Sequence, residues 1–163
     1  MYKSGHVGAA LLAYAPLGSL LLGTGRSELA VVAGVVMVAL STLPDADHWI
    51  PFVNHRGFTH TLPFAVLVGL AVGVVGAAAG PAVLSSSAAS TAALGVVVGT
   101  LSILSHIAAD SVTPMGIRPF WPLSGWHVTF DIVPAKDPVA NFVLLGAGVV
   151  AMGVTTILAV RIW

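Results

Sequence analysis

The chain is 163 residues long, with 57% hydrophobic and 7% charged residues and a mean hydropathy of +1.00. Soluble domains are roughly half apolar and about a quarter charged, so this composition excludes an ordinary soluble domain and indicates an integral membrane protein. The net charge is zero without any basic run, which gives no support to nucleic-acid binding, and the absence of cysteine excludes disulfides and thiolate metal sites. We interpret residues 1–163 as a single integral membrane domain.

Two apolar runs open the chain. The first covers residues 7–22 and follows Lys3. A basic residue before a short apolar run is also how a secretory signal begins, but His6 at the entrance and the equally apolar remainder of the chain favour an uncleaved helix. Ser27 is predicted to cap a second helix, which ends before Pro44.

A polar stretch, LPDADHWIPFVNHRGFTHT, occupies residues 43–61. It holds two of the six acidic residues and three of the six histidines. Carboxylates and imidazoles are costly to dehydrate at a membrane boundary, so they persist there paired, hydrated or bound to a cation. Asp and His together bind zinc, manganese or iron rather than calcium. The stretch therefore predicts a transition-metal site; the alternative is a hydrated interfacial loop whose aspartates cap helices.

A third span is predicted over residues 62–80, with Thr61 at its start. Gly69 and Gly73 lie four residues apart, a spacing that lets helix backbones approach closely, although glycine is also simply common in membrane helices. Small residues without an ionisable group follow at positions 81–91, and they predict a turn on the side away from the polar stretch.

Two more spans complete the prediction. The fourth begins at Ala92, and an interfacial loop rich in proline and aromatic residues follows over positions 111–136. Asp137 is predicted to cap a fifth helix over residues 139–160, with Pro138 in the first turn. A membrane helix needs about 20 residues, so we expect an all-α polytopic membrane protein with about five transmembrane helices.

Five spans place the N-terminus, the polar stretch and the interfacial loop at one membrane face. Ionisable residues far apart in the sequence then meet there, because each stands at a helix end. This face carries four of the six basic residues, and the positive-inside rule therefore predicts that it is cytoplasmic. The predicted metal ligands at this face are His6, Asp45, Asp47, His60, His106 and Asp110.

The predicted ligands suit more than one ion. His106 and Asp110 are four residues apart, so on a helix they face one ion together, although such a pair is also commonly a plain hydrogen bond. We expect two or more divalent transition metal ions, with zinc favoured over manganese or iron. Paired ions of this kind lower the pKa of a bridging water and hold a phosphoryl or acyl oxygen during hydrolysis.

Three further polar residues of the stretch are predicted to take part in catalysis. Arg56 suits a bidentate grip on a phosphate, or it pairs instead with Asp47. A histidine outside the metal site, His55 or His48, is predicted to protonate the leaving group. The chain has no Gly-x-Ser-x-Gly elbow and no glycine-rich phosphate loop, which excludes serine hydrolase and nucleotide-binding readings of the sequence.

Three phrases of the chain resemble a known family: LPDADH from Leu43, HRGFTHT from His55 and SHIAADSVTPMGIRPFWPLSG from Ser105. They are similar to the membrane-bound metal-dependent hydrolases, also labelled LexA-binding inner-membrane-associated hydrolases. His6 matches the N-terminal histidine of that family, whereas Thr61 stands where the family usually has serine. The resemblance implies a polytopic helical protein with a metal site made from these motifs and a hydrolase activity.

A looser similarity connects the early histidine, the aspartate and the helical HxxxD to the zinc-dependent phospholipase C and nuclease group. This similarity favours phosphoesters over peptides. We therefore expect a membrane-embedded hydrolase of a phospholipid or related phosphodiester, with membrane lipid and a small-molecule or lipid phosphoester as its partners. The alternative is a divalent-metal transporter or a non-catalytic membrane partner protein, although transport sites generally lie near the membrane midplane.

Overall fold

The computed structural model describes residues 1–49 and 55–162, so positions 50–54 of the polar stretch and Trp163 lie outside the described residues. The helices are α1 (Lys3–Gly23), α2 (Ser27–Leu40), α3 (Leu62–Val83), α4 (Ala88–Ser111) and α5 (Pro138–Ile162). Short 3-10 helices follow α2, at Pro44–Trp49, and precede α3, at Phe58–His60. All five helices are long and apolar enough to cross a membrane, with the second counted through Trp49. The prediction of an all-α, five-span protein is confirmed.

Helix α4 lies in the middle of the bundle, packed against α1, α2 and α3, while α5 packs against α1. Tyr14, Met37 and Val98 form part of a buried core that joins α1, α2 and α4. The Ser102 hydroxyl donates a hydrogen bond of 2.8 Å to the Met37 carbonyl. This contact fixes the last turns of α4 against the end of α2, where the polar stretch begins.

Glycine brings α3 and α4 into close contact. A Cβ atom on Gly73 would lie 2.5 Å from Cγ2 of Val96, and one on Gly95 would lie 2.7 Å from the Val72 carbonyl oxygen. A side chain at Gly95 would push against the α3 backbone, and one at Gly73 would displace the Val96 side chain. The predicted close approach is therefore confirmed, with α4 as the partner of α3.

Two predicted side-chain caps are present, at the starts of α3 and α5. Thr61 Oγ1 accepts a hydrogen bond from the Phe64 N–H at 3.3 Å, and Asp137 Oδ1 accepts one from the Ala140 N–H at 2.8 Å, as predicted. The cap predicted at Ser27 is wrong by one position. The carbonyl of the preceding residue, Arg26, accepts the first helical bond from Ala30 at 3.0 Å, so Ser27 is already helical.

The linker between α3 and α4 is shorter than predicted. Residues 84–87 connect the two helices, so the predicted linker over 81–91 and the helix start at Ala92 are both wrong. Alanine favours helix strongly, and the Ser87 hydroxyl accepts a hydrogen bond from the Ser90 N–H at 3.2 Å, which starts α4 four residues earlier. The remaining helix ends differ from the prediction by four residues or fewer.

The segment between α4 and α5 is a structured loop, as predicted. Backbone hydrogen bonds of 2.9 Å join Ile117 and Val128 in both directions, and the Phe130 N–H donates to the Ser111 carbonyl at 2.8 Å. The exposed aromatic rings of Trp121 and Trp126 belong to this loop. These bonds fold the loop back over the end of α4, so that its backbone borders the polar stretch.

Candidate metal centre

The structure brings together residues that stand at four different helix ends. His6 lies in the first turn of α1, His60 ends the 3-10 helix before α3, and His106 and Asp110 occupy the last turns of α4. Asp45 lies in the 3-10 helix after α2. The three histidines are 0% exposed and Asp110 is 1% exposed, whereas the Asp45 side chain is 22% exposed. The predicted convergence at one face is confirmed for these five side chains.

Four of their ligand atoms form a compact set, which we name the central group: His60 Nε2, His106 Nε2, Asp45 Oδ1 and Asp110 Oδ2. The two nitrogens are 3.2 Å apart. Each oxygen lies 3.4–3.6 Å from each nitrogen. Ligands at about 2.0–2.1 Å from a tetrahedral zinc ion are about 3.3 Å apart. The nitrogen–nitrogen distance and the four nitrogen–oxygen distances of the central group are close to this value.

Hydrogen bonds behind the two imidazoles determine which nitrogen carries the proton. His106 Nδ1 donates to the Ser41 carbonyl at 2.6 Å. The Thr59 hydroxyl donates to Asp47 at 2.9 Å, so it accepts from His60 Nδ1, which also lies 2.9 Å away. Both rings therefore present a bare Nε2 to the central group. Four acceptor atoms face one another, and only a cation among them removes the repulsion.

The Arg56 guanidinium and the Met1 ammonium contact Asp110 at its other oxygen, Oδ1, at 2.9 and 2.6 Å. Without a metal, the cation that could lie among the four atoms of the central group is a proton on one of the imidazoles. Burial lowers the pKa of His60, but the neighbouring carboxylates of Asp110 and Asp45 outweigh the burial, so its pKa lies above the usual value. A protonated His60 would donate to these carboxylates. A divalent ion that binds the central group would have to displace that proton, since histidine binds metal only in its neutral form.

His6 completes the set from the opposite side of the carboxylates. Its ring stacks on His106 with the centroids 3.6 Å apart, and its Nε2 lies 3.6 Å from Asp45 Oδ2 and from Asp110 Oδ1. Among the described residues, neither ring nitrogen of His6 has a hydrogen-bond partner, and neither does Asp110 Oδ2. A buried polar atom without a partner costs about 1–3 kcal/mol, so the residues present fit a bound metal ion.

Asp47 organises the loop that carries His60. Its carboxylate accepts from His55 Nδ1 at 2.9 Å, from the Thr59 hydroxyl at 2.9 Å and from the Arg56 N–H at 3.2 Å. It also lies 3.5 Å from His60 Nδ1, on the side of the ring away from the central group. Asp47, His55 and His60 could also hold an ion by themselves. The predicted ligand role of Asp47 stays a prediction. Its hydrogen bond with Thr59, which also contacts His60 Nδ1, helps to orient the His60 ring.

Arg56 is buried against a ligand carboxylate. Its Nη2 donates to Asp110 Oδ1 at 2.9 Å, and its Nη1 donates to the Thr113 hydroxyl at 3.0 Å and the Gly116 carbonyl at 2.9 Å. The backbone of Arg56 has a φ of 59°, a conformation that is rare outside glycine and is found at sites that constrain the chain. The Arg56 guanidinium pairs with Asp110, whereas only the Arg56 backbone N–H bonds the Asp47 carboxylate. The phosphate-binding role of Arg56 stays a prediction.

His48 and His55 lie at the exposed edge of the centre. Their rings stack with the centroids 3.8 Å apart. With Asp45 they form a second group whose ligand atoms lie within 4.8 Å of one another. Asp45 thus belongs to this group and to the one that contains His6, His106 and Asp110, and it could bridge two ions. The structure leaves His48 and His55 suited either to proton transfer or to metal binding.

Sequence reasoning missed the residue that holds His6 in place. Asn141 of α5 is fully buried; its Oδ1 accepts from the Tyr2 N–H at 2.9 Å, and its Nδ2 donates to the Asp137 carbonyl at 2.7 Å. These bonds join the starts of α1 and α5. A side-chain amide within an otherwise apolar run is a signal that could have identified this position.

A family model described as YdjM inner membrane protein matches residues 1–163. The chain belongs to the YdjM family of inner membrane proteins. No curated protein and no solved structure matches it. The YdjM assignment and the five apolar helices together establish a multi-pass membrane protein. The family description names a location and no activity. It therefore supports the membrane location implied by the resemblance noted above, and it says nothing of the chemistry of the YdjM site.

Proposed function

We propose that this protein is a membrane-embedded metal-dependent hydrolase that acts on a phosphoester of a phospholipid or a related phosphodiester. The observation that carries the proposal is the central group, in which two bare imidazole nitrogens and two carboxylate oxygens face one another at one membrane face. His60, His106, Asp45 and Asp110 would hold the first divalent ion, with zinc favoured. His6 would hold a second ion together with Asp45, in keeping with the predicted ligand set.

When bound, such ions supply an acidified water molecule and positive charge for an anionic phosphoryl oxygen. The chain contributes the positioning of this chemistry. Ser41 and Thr59 fix the tautomers of His106 and His60, and Arg56 fixes the Asp110 carboxylate. Asp45 is the ligand that reaches the surface, so a lipid headgroup would approach the site from its side.

The Asp47–His55 pair supports a proton-transfer role. His55 Nδ1 donates to Asp47, which leaves its Nε2 free to accept and return a proton, and the ring is 29% exposed. A histidine held by a buried carboxylate in this way is well oriented to protonate a leaving oxygen. His48, which stacks on His55, is the alternative donor.

Turnover assays with two matched histidine variants test the proposal. We expect the wild-type protein with zinc or manganese to hydrolyse at least one member of a panel of phospholipids and phosphodiesters. His55→Gln should retain most of the metal that binds the central group and lose about 100-fold or more in rate, because general acid–base catalysis contributes about 10²–10⁴-fold. His127→Gln, at an exposed histidine on the same face, should match the wild type.

Two results would contradict the hydrolase. Wild-type protein that holds no metal in a folded state would remove its basis, and loaded protein without turnover on the whole panel would leave a non-catalytic role. The near-complete burial of His6, His60, His106 and Asp110 favours that second candidate, a closed structural metal site, since structural zinc sites are enclosed by protein ligands.

We also propose that the metal centre faces the cytoplasm. Its side of the membrane carries Lys3, Arg56, Arg118 and Lys136, against Arg26 and Arg161 on the other. A reporter fused near Ser124 should be active in the cytoplasm, and one fused at the end of α5 should be active on the opposite side. Reporters with the same location would contradict the span count, and reversed locations would contradict the orientation alone.

A further inference from the structure

The central group is enclosed by the protein, so an ion needs a route to it. The three histidines of the centre are 0% exposed, and Asp110 is 1% exposed. Asp45 is the exception among the five converging side chains, since it is 22% exposed. A divalent ion in water must exchange its hydration shell for protein ligands before it enters a buried site, because a buried charge without partners is costly. Exposed ligands beside Asp45 would provide for this exchange.

Such ligands lie at the exposed edge of the centre, and we name them the outer group: Asp45, His48 and His55. Their ligand atoms lie within 4.8 Å of one another. The rings of His48 and His55 stack with the centroids 3.8 Å apart. His48 is exposed, and the side chain of His55 is 29% exposed. The outer group is therefore open to an ion that arrives from solution.

The outer group is in direct contact with the central group. The His55 ring meets the His60 ring edge-on, with the centroids 5.3 Å apart. Asp45 belongs to both groups, and its Oδ1 lies 3.6 Å from the Nε2 atoms of His60 and His106. An ion in the outer group can therefore keep Asp45 as a ligand while His60 and His106 replace His48 and His55.

The number of ligands favours movement inward. The outer group offers three ligands and leaves a coordination position open to water, whereas the central group offers four buried or partly buried ligands. Zinc prefers four protein ligands in closed sites, so it should be held more weakly outside than inside. Asp47 orients a histidine of each group, since it accepts hydrogen bonds from His55 Nδ1 and from the Thr59 hydroxyl beside His60.

We propose that the outer group is an entry site, where a divalent transition metal ion binds before it is transferred to the central group. The sharing of Asp45 carries the proposal, because an unrelated surface site would need no ligand in common with the buried one. After the transfer, His48 and His55 are free again for proton transfer. The entry site rests on the metal binding that is part of the proposed function, and not on turnover.

Cobalt(II) loading of the metal-free full chain in detergent, followed by stopped-flow absorption, tests the entry site. The loading rate of wild-type protein should level off as the cobalt concentration rises, because the outer group fills. Loss of an outer partner of a metal site costs about 10–100-fold in affinity, so His48→Gln should slow loading at low cobalt by about tenfold or more. His48→Glu keeps a ligand atom and should restore most of the rate.

The amount of bound metal distinguishes entry from permanent ligation. The dissociation constant for cobalt in the central group should be the same in His48→Gln and in the wild type, because all four central ligands are intact. Release of cobalt to an excess of chelator should slow by the same factor as loading, since the ion leaves by the route through which it entered. His127→Gln removes an exposed histidine outside the outer group and should load as the wild type does.

Equal loading rates in the wild type and His48→Gln would overturn the entry site. A weaker dissociation constant in His48→Gln would also overturn it, because His48 would then be a permanent ligand. Slow loading of His48→Gln to full cobalt content, together with a wild type that turns over no phosphoester, would support the entry site and contradict the hydrolase. The two proposals therefore fail by different measurements.

Discussion

The two ends of the helix bundle are both polar, but they differ in burial. At the metal centre His6, His106 and Asp110 are at most 1% exposed, whereas Arg26 and Glu28 at the opposite end are exposed. Water can satisfy exposed groups, while a buried group must find its partner inside the protein or in a bound ion. The comparison teaches that the buried end is the one whose polar groups a bound cation would stabilise.

The largest effect should come from removing a ligand of the central group. His106→Ala deletes one bare nitrogen and leaves the Ser41 carbonyl without its donor. Loss of an outer partner typically costs about 10–100-fold in metal affinity, so loss of a ligand should exceed 100-fold. Elemental analysis of the purified variant should find less than about one tenth of the wild-type metal.

His127→Ala is the control for this experiment, because it removes an exposed imidazole from the same face. Its metal content should equal that of the wild type. Equal metal content in the His106 and His127 variants would show that the central group does not bind the metal. Burial would then not identify the metal-binding end.

The convergence of the ligands could be predicted because each polar residue stands at the end of an apolar run. Two spans separate His6 from the polar stretch, and two more separate that stretch from the end of α4, so all three come to one face, and the structure confirms that placement. Helix ends were less predictable where small residues continue past the expected stop. Alanine and serine at positions 81–91 fit a linker and a helix equally well by composition, and capping by Ser87 decides between them.

The connections behind the ligands could not be predicted. The Ser41 partner of His106 is a backbone carbonyl, which has no signature in the sequence. The pairing of Arg56 with Asp110 spans 54 residues and depends on a left-handed backbone at a non-glycine residue. Sequence periodicity locates spans and their ends, but such contacts depend on loop conformation.

A smaller effect should follow from removing a group that only orients a ligand. Thr59→Val keeps the shape of the side chain but takes away the hydroxyl that links Asp47 to His60. Zinc affinity, measured by competition with a chelator, should fall about 10–100-fold because the His60 tautomer is no longer fixed. Thr24→Val removes a hydroxyl at the opposite end and should leave affinity unchanged. Equal affinities in both variants would assign Thr59 no part in the metal centre.

The smallest effect should come from the exposed end itself. Arg26 makes no hydrogen bond within the described residues, so Arg26→Gln should change the free energy of unfolding by no more than about 0.5 kcal/mol in lipid-free detergent. Chemical unfolding followed by circular dichroism measures this change. If Arg26→Gln lowered the free energy of unfolding as much as a substitution of a buried polar residue does, the two ends would not differ as their burial indicates.

The hydrogen bonds of Asn141 carry a consequence for the order in which the protein is assembled. The metal centre draws His6 from the first helix and His106 from the fourth, and Asn141 of the fifth helix holds the chain beside Tyr2. His6 is therefore synthesised well before the helices that carry its partners. Because Asn141 bonds the chain at Tyr2, the last helix to be made contributes to the position of the first candidate ligand.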